Sequence, residues 1–142
     1  MIRVGIDCGV KTGFAVAENG VLTRVETFTI TQAMDEVKVI HAQDPDLVVR
    51  IEDARLRTWF GSADARQAKS GAGVREGVGS VKRDCSIWEQ FCIEQGIKYE
   101  LVHPAANMTK TKSDYFKKIT GWVGRTSEHS RDAAMLIFGR LK

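Results

Sequence analysis

Apolar and polar residues alternate along Ile2-Arg3-Val4-Gly5-Ile6-Asp7, so Ile2, Val4 and Ile6 share one face of a predicted strand while Gly5 and Asp7 take the other. Gly9 and Gly13 are expected to frame a tight turn, after which Phe14-Ala15-Val16-Ala17 resumes extended structure up to Asn19-Gly20. That dipeptide is a strong hairpin signal, because both residues tolerate the left-handed backbone that the tightest hairpin turns need. Val21 to Ile30, rich in β-branched residues, predicts a third strand. The chain therefore opens as a three-stranded antiparallel meander.

Thr31 can cap a helix whose apolar positions Ala33, Val37 and Ile40 recur at helical spacing, with Asp44-Pro45 ending it. Leu47 to Glu52 predicts a fourth strand, with Leu47, Val49 and Ile51 on one face and Val48, Arg50 and Glu52 on the other, so Glu52 stands at its exit. From Asp53 to about Gly73 the chain is charged and irregular, carrying Arg55, Arg57, Arg66 and Lys69 around the aromatic pair Trp59-Phe60. A helix is expected from near Gly73 through Val81, Trp88, Phe91 and Cys92 to Gln95, stopped by Gly96. Ile97 to Val102 predicts a fifth strand. Ser113 can cap a short helix through Ile119, stopped by Gly121, and a last helix is expected from Thr126 or Ser127 through Phe138 toward the C-terminus. This order predicts an α/β fold: a mixed five-stranded sheet, the meander plus two parallel strands joined by a right-handed crossover, with helices on both faces.

A chain of 142 residues is the size of one compact domain, and residues 1–142 are read as such. Its 43% apolar and 27% charged content excludes wholesale disorder. A net charge of +3 permits nucleic-acid binding without requiring it, so the placement of the charges decides. No apolar run is long enough to cross a bilayer and no signal segment opens the chain, which points to a cytoplasmic protein without a membrane partner. Cys8, Cys85 and Cys92 lack metal-ligand spacing and read as buried thiols. His41 and His103 are isolated.

The chemistry-bearing residues fall at element ends: Asp7 closes the first strand, Glu52 closes the fourth, and His129 and Asp132 lie three apart on one face of the last helix. Clustered carboxylates repel one another unless a cation occupies them. Two divalent ions about 4 Å apart would let such a cluster stabilise the attacking and leaving oxygens of a phosphodiester. Magnesium suits oxygen ligands of this kind. Glu128, four residues before Asp132, can face the same site, so either Glu128 or His129 could complete the set. Taken singly, each of these acids also fits an ordinary strand end or helix start.

The stretches Gly5-Ile6-Asp7-Cys8-Gly9-Val10-Lys11-Thr12-Gly13, Ile51-Glu52-Asp53-Ala54 and His129-Ser130-Arg131-Asp132-Ala133-Ala134 resemble those of the RuvC Holliday-junction resolvases, within the ribonuclease H-like superfamily. The resemblance implies a nuclease whose metal ligands are Asp7, Glu52, His129 and Asp132. It also implies two Mg²⁺ ions per site, with Mn²⁺ as a substitute, and a homodimer nicking both sides of a four-way junction through a contact on the Gly73–Gln95 helix. Lys112 resembles a family lysine near the scissile phosphate. The short length and the basic stretch after Glu52 are similar to compact phage and prophage members, which act on branched DNA more broadly.

Two basic groups would meet the DNA: Arg55, Arg57, Arg66, Lys69, Arg75, Lys82 and Arg83 after Glu52, and Lys110, Lys112, Lys117 and Lys118 before the last helix. Trp59 or Phe60 could stack on an unpaired base or be buried under its own loop. Trp88 and Phe91 follow an apolar helix face and fit the core or a dimer interface. Two rivals remain open: an inactive DNA-binding or scaffolding relative, and an actin-like phosphate-binding ATPase, whose nucleotide needs a second such domain that this chain lacks. No nucleotide cofactor is expected.

Overall fold

The computed structural model describes residues 1–56, 72–107 and 110–139, and of residues 72–78 the backbone only. Five strands form one sheet: β1 (Ile2–Asp7), β2 (Lys11–Glu18), β3 (Val21–Thr29), β4 (Val48–Glu52) and β5 (Lys98–Val102). Their spatial order is β3-β2-β1-β4-β5. The first three pair antiparallel, and β4 and β5 add in parallel to β1, giving the mixed five-stranded sheet expected from the sequence. Helices α1 (Ile30–Gln43) and α2 (Ala72–Gln95) share one face, where Val4, Ile6, Phe14, Val49 and Ile51 meet Val37, Cys85, Trp88 and Cys92. Helices α3 (Ser113–Thr120) and α4 (Glu128–Met135) cover the other, where Ala15, Ala17 and Val102 meet Phe116, Ala133, Ala134 and Ile137. Trp88 is fully buried and meets Phe91 edge-on at 5.6 Å, so this pair belongs to the core. Among the described residues no helix is long and apolar enough to cross a membrane.

Local chemistry explains most boundaries. Asn19 and Gly20 take φ of 53° and 84°, as the β2–β3 hairpin requires. The helix α1 starts earlier than the Thr31 cap implies, because Thr29 forms a complete capping box: its hydroxyl accepts the Gln32 amide and the Gln32 side chain accepts the Thr29 amide. Gly96, with φ of 68°, ends α2 where expected. Ser113 is the first residue of α3 and not its cap; Lys112 takes that position in an extended backbone without a side-chain bond. The last helix stops at Met135, and residues 136–139 turn until the Gly139 amide reaches the Gly20 carbonyl at 2.9 Å. Leu136 and Ile137 are buried all the same, which is why their spacing reads as helix.

Gly13 corrects the expected turn. It lies inside β2, opposite Asp7, and a Cβ there would stand 2.0 Å from the His129 carbonyl oxygen. Gly5 in β1 is alike: its Cβ would meet the Ala133 carbonyl oxygen at 2.1 Å. The backbone of α4 therefore rests on the bare backbone of β1 and β2.

Candidate metal centre

Parallel pairing of β1 with β4 sets Asp7 directly beside Glu52, in register at the strands' C-terminal ends. Residues in register on neighbouring strands project to the same face, here the face that α4 covers. The close seat at Gly5 and Gly13 then lowers the start of α4 toward Asp7. His129 Nδ1 comes within 3.1 Å of Asp7 Oδ2. Ser127 fixes where the helix begins, since its hydroxyl accepts the Ser130 amide while the Ser130 hydroxyl accepts the Ser127 amide.

Asp132, one turn further on, is buried, and its Oδ1 accepts the Lys110 amide at 2.7 Å. Burial pushes the Asp7 carboxyl up to about 6, against the lowering bond from His129, with Asp132 and Glu128 adding like-charge repulsion. Asp132 is also raised, by burial first, against the Lys110 amide, with Glu128 again repelling. Glu128 is exposed at the helix start and felt by both acids as a charge, whereas His129 touches Asp7.

The chain just after Glu52 is held by a network that the sequence did not announce. The Glu52 carbonyl accepts weak bonds from the thiols of Cys8 at 3.9 Å and Cys85 at 3.6 Å. Cys8, Cys85 and Cys92 are all buried and free, as expected. Asp53, 1% exposed, takes a two-pronged bond from Arg55, with both contacts at 2.9 Å. Against burial, which pushes the carboxyl up, Arg55 holds Asp53 below its ordinary value. Arg55 continues to Glu89 at 2.9 Å, and Glu89 accepts the Tyr99 hydroxyl at 2.9 Å. Arg55, expected among the phosphate contacts, is half-buried, with its guanidinium paired to Asp53 and Glu89.

The other basic residues divide. Lys110, Lys112, Lys117 and Lys118 are exposed around the start and end of α3. Arg83 is exposed on α2, 3.7 Å from the buried Asp84, and Lys82 is half-buried beside it. Arg57, Trp59, Phe60, Arg66 and Lys69 lie outside the described residues, as does the side chain of Arg75. His103 caps the 3₁₀ turn Pro104–Ala106, its Nδ1 accepting the Ala105 amide at 3.0 Å.

The donors are carboxylate oxygens and an imidazole, the right kind for a hard divalent cation, and a buried carboxylate held among like charges is what such a cation would relieve. Among the described residues, however, no three His, Cys, Asp or Glu side chains close into a ligating cluster. The set is assembled at the level of elements: two strand ends in register and one helix start.

No known family and no curated protein matches the sequence. Solved structures do match by shape. A structure of T. thermophilus RuvC in complex with Holliday junction substrate superposes with a TM-score of 0.61 at 15% identity, covering 96% of this chain and 90% of that one. A second, of Thermus thermophilus RuvC, gives a TM-score of 0.51 at 15% identity, covering 96% and 91%. Neither likeness carries the expectation of a phage or prophage source any further. Across nearly its whole length the chain has the ribonuclease H-like fold of RuvC.

Proposed function

We propose that this protein is a metal-dependent, structure-selective endodeoxyribonuclease that nicks four-way junctions and related branched DNA by hydrolysis. The observation that carries the reading is the register of Asp7 with Glu52, with His129 brought to 3.1 Å from Asp7 by a helix that also carries Asp132. The RuvC-like fold, in a relative whose structure holds a Holliday junction, supports the substrate class.

In this reading Asp7, Glu52 and Asp132 hold Mg²⁺, with His129 completing the set and Glu128 as its competitor. When bound, two such ions would supply a water nucleophile and neutralise charge on the attacking and leaving oxygens. The chain's own work is positional. Asp7 is fixed by strands on both sides, the Asp53–Arg55 clamp fixes the backbone as it leaves Glu52, and burial of Asp7 and Asp132 excludes bulk water. Lys110, Lys112, Lys82 and Arg83 are the described candidates for phosphate contact, and a two-fold homodimer would place two such centres across a junction.

The lack of a closed cluster among the described residues favours, as a second reading, a binding module without chemistry. One assay separates the two. Labelled four-way junction, flap and duplex are incubated with Mg²⁺ or with chelator, using the parent and Asp7→Asn. Metal-dependent nicking of branched DNA by the parent alone is expected. Binding without nicking would establish the second reading, and nicking by Asp7→Asn would remove Asp7 from the mechanism.

A further inference from the structure

The segment between β5 and α3 is gripped by the first turns of α4. Besides the Lys110 amide's bond to the Asp132 carboxylate, Arg131 Nε donates to the Thr111 carbonyl at 2.6 Å, and the Asn107 side-chain Nδ2 donates to the Asp132 carbonyl at 3.1 Å. The Arg131 guanidinium also donates to Thr126, at 2.8 Å to its hydroxyl and 3.3 Å to its carbonyl. One side chain thus ties this segment to the turn that opens α4.

The bonds at Lys110 and Thr111 are made to backbone atoms, so they fix the path of the chain whatever side chains it carries. Thr111 is buried, while Lys110 and Lys112 on either side are exposed and form no ion pair among the described residues. Lys110 has φ of 56°, a conformation costly to any residue but glycine, asparagine or aspartate. A charge-assisted bond from Asp132 holds it there. A lysine thus stands where glycine would fit without strain.

We propose, resting on the nuclease reading above, that Arg131 is a positioning residue. It docks residues 110–112 so that Lys110 and Lys112 stand as paired cations for DNA phosphates beside the acidic centre. Asp132 makes the link direct, because the carboxylate proposed to hold metal also holds the Lys110 amide.

The test measures binding of the full-length protein to a labelled four-way junction in chelator over a range of salt. The parent is compared with Arg131→Met, with Lys110→Ala/Lys112→Ala, and with all three changes together. Each lost phosphate contact lowers the slope of log affinity against log salt by about 0.9, so Arg131→Met and the lysine pair are each expected to lower it by about 2. The triple variant is expected to fall no further. A loss in Arg131→Met that leaves the slope unchanged, or that adds to the lysine effect, overturns the proposal. Amide exchange gives a reading independent of DNA: the Lys110 amide, bonded to Asp132, is expected to exchange faster in Arg131→Met because the segment then lacks the tie at Thr111, and protection equal to the parent's also overturns it. If Arg131→Met does not fold, Arg131→Lys carries the same test, since an ammonium lacks the planar fork with which the guanidinium bonds Thr111 and Thr126 together. Failure of the parent to bind junctions sinks the nuclease reading and this proposal together, whereas parent-like binding by the Arg131 variants sinks the positioning role alone.

Discussion

Asp7→Asn should make the metal-free protein more stable, by an amount that grows with pH. The folded state holds the Asp7 carboxyl at about 6 against an ordinary 3.8, chiefly because the group is buried. Between those values the folded chain binds more protons than the unfolded chain, so stability falls as pH rises through that window. Well below 3.8 both states are protonated and Asp7 costs nothing. Above about 6 both are ionised and the full penalty applies, about 3 kcal/mol at 1.36 kcal/mol per pH unit. An asparagine keeps the shape and a hydrogen bond to His129 but carries no charge, so it escapes the penalty. Urea denaturation in chelator at pH 4 to 8 is expected to show the two proteins within about 0.5 kcal/mol at pH 4 and the variant ahead by about 3 kcal/mol at pH 8. Adding Mg²⁺ should then favour the parent alone, by about 2.7 kcal/mol at a hundred times its dissociation constant. A gap that stays constant from pH 4 to pH 8, or a variant that gains from Mg²⁺ as much as the parent, would refute the reasoning.

Gly13→Ala should cost about 2–3 kcal/mol in thermal unfolding and lower cleavage as well, because its Cβ meets a helix carbonyl at 2.0 Å and neither backbone can rotate away. Gly79→Ala, in mid-helix with open space around it, should instead stabilise by about 0.5–1 kcal/mol; equal melting temperatures for the two variants would show that α4 does not rest on β2. Arg55→Met leaves the Asp53 carboxylate buried without its main partner and should cost roughly 3 kcal/mol in urea, with Asp53→Asn in the same chain recovering much of it. No recovery would mean that Arg55 stabilises by packing and not by charge.

Asp7 and Glu52 were legible because strand alternation and the apolar runs fix which residue leaves each strand last, and parallel pairing then needs no side-chain information to set them side by side. The cap of α1 was equally present, as Thr29-x-x-Gln32, but Thr31 offered a competing hydroxyl two residues on. The Asp53–Arg55–Glu89 clamp was visible only as charges, since nothing in the spacing of residues from two separate elements says that they pair with one another instead of with DNA.

The depth of α4 was not legible at all, and that depth makes the site. Read locally, glycine next to a strand suggests a turn, and the sequence pattern puts Gly13 in one. Its actual role is to lack a Cβ where a helix from the far end of the chain lays its backbone down, and Gly5 does the same one turn along. Apolar patterning predicts that α4 faces the sheet but not how closely, because pattern records which side chains are buried and not where a missing one admits a neighbour. A Cβ at either position would lift His129 and Asp132 away from Asp7 and leave two acidic strand ends without a helix to complete them. Gly5 and Gly13 therefore shape the proposed centre as much as its acids do. Asp7 and Gly13, facing each other across β1 and β2, form the pair from which the site is built.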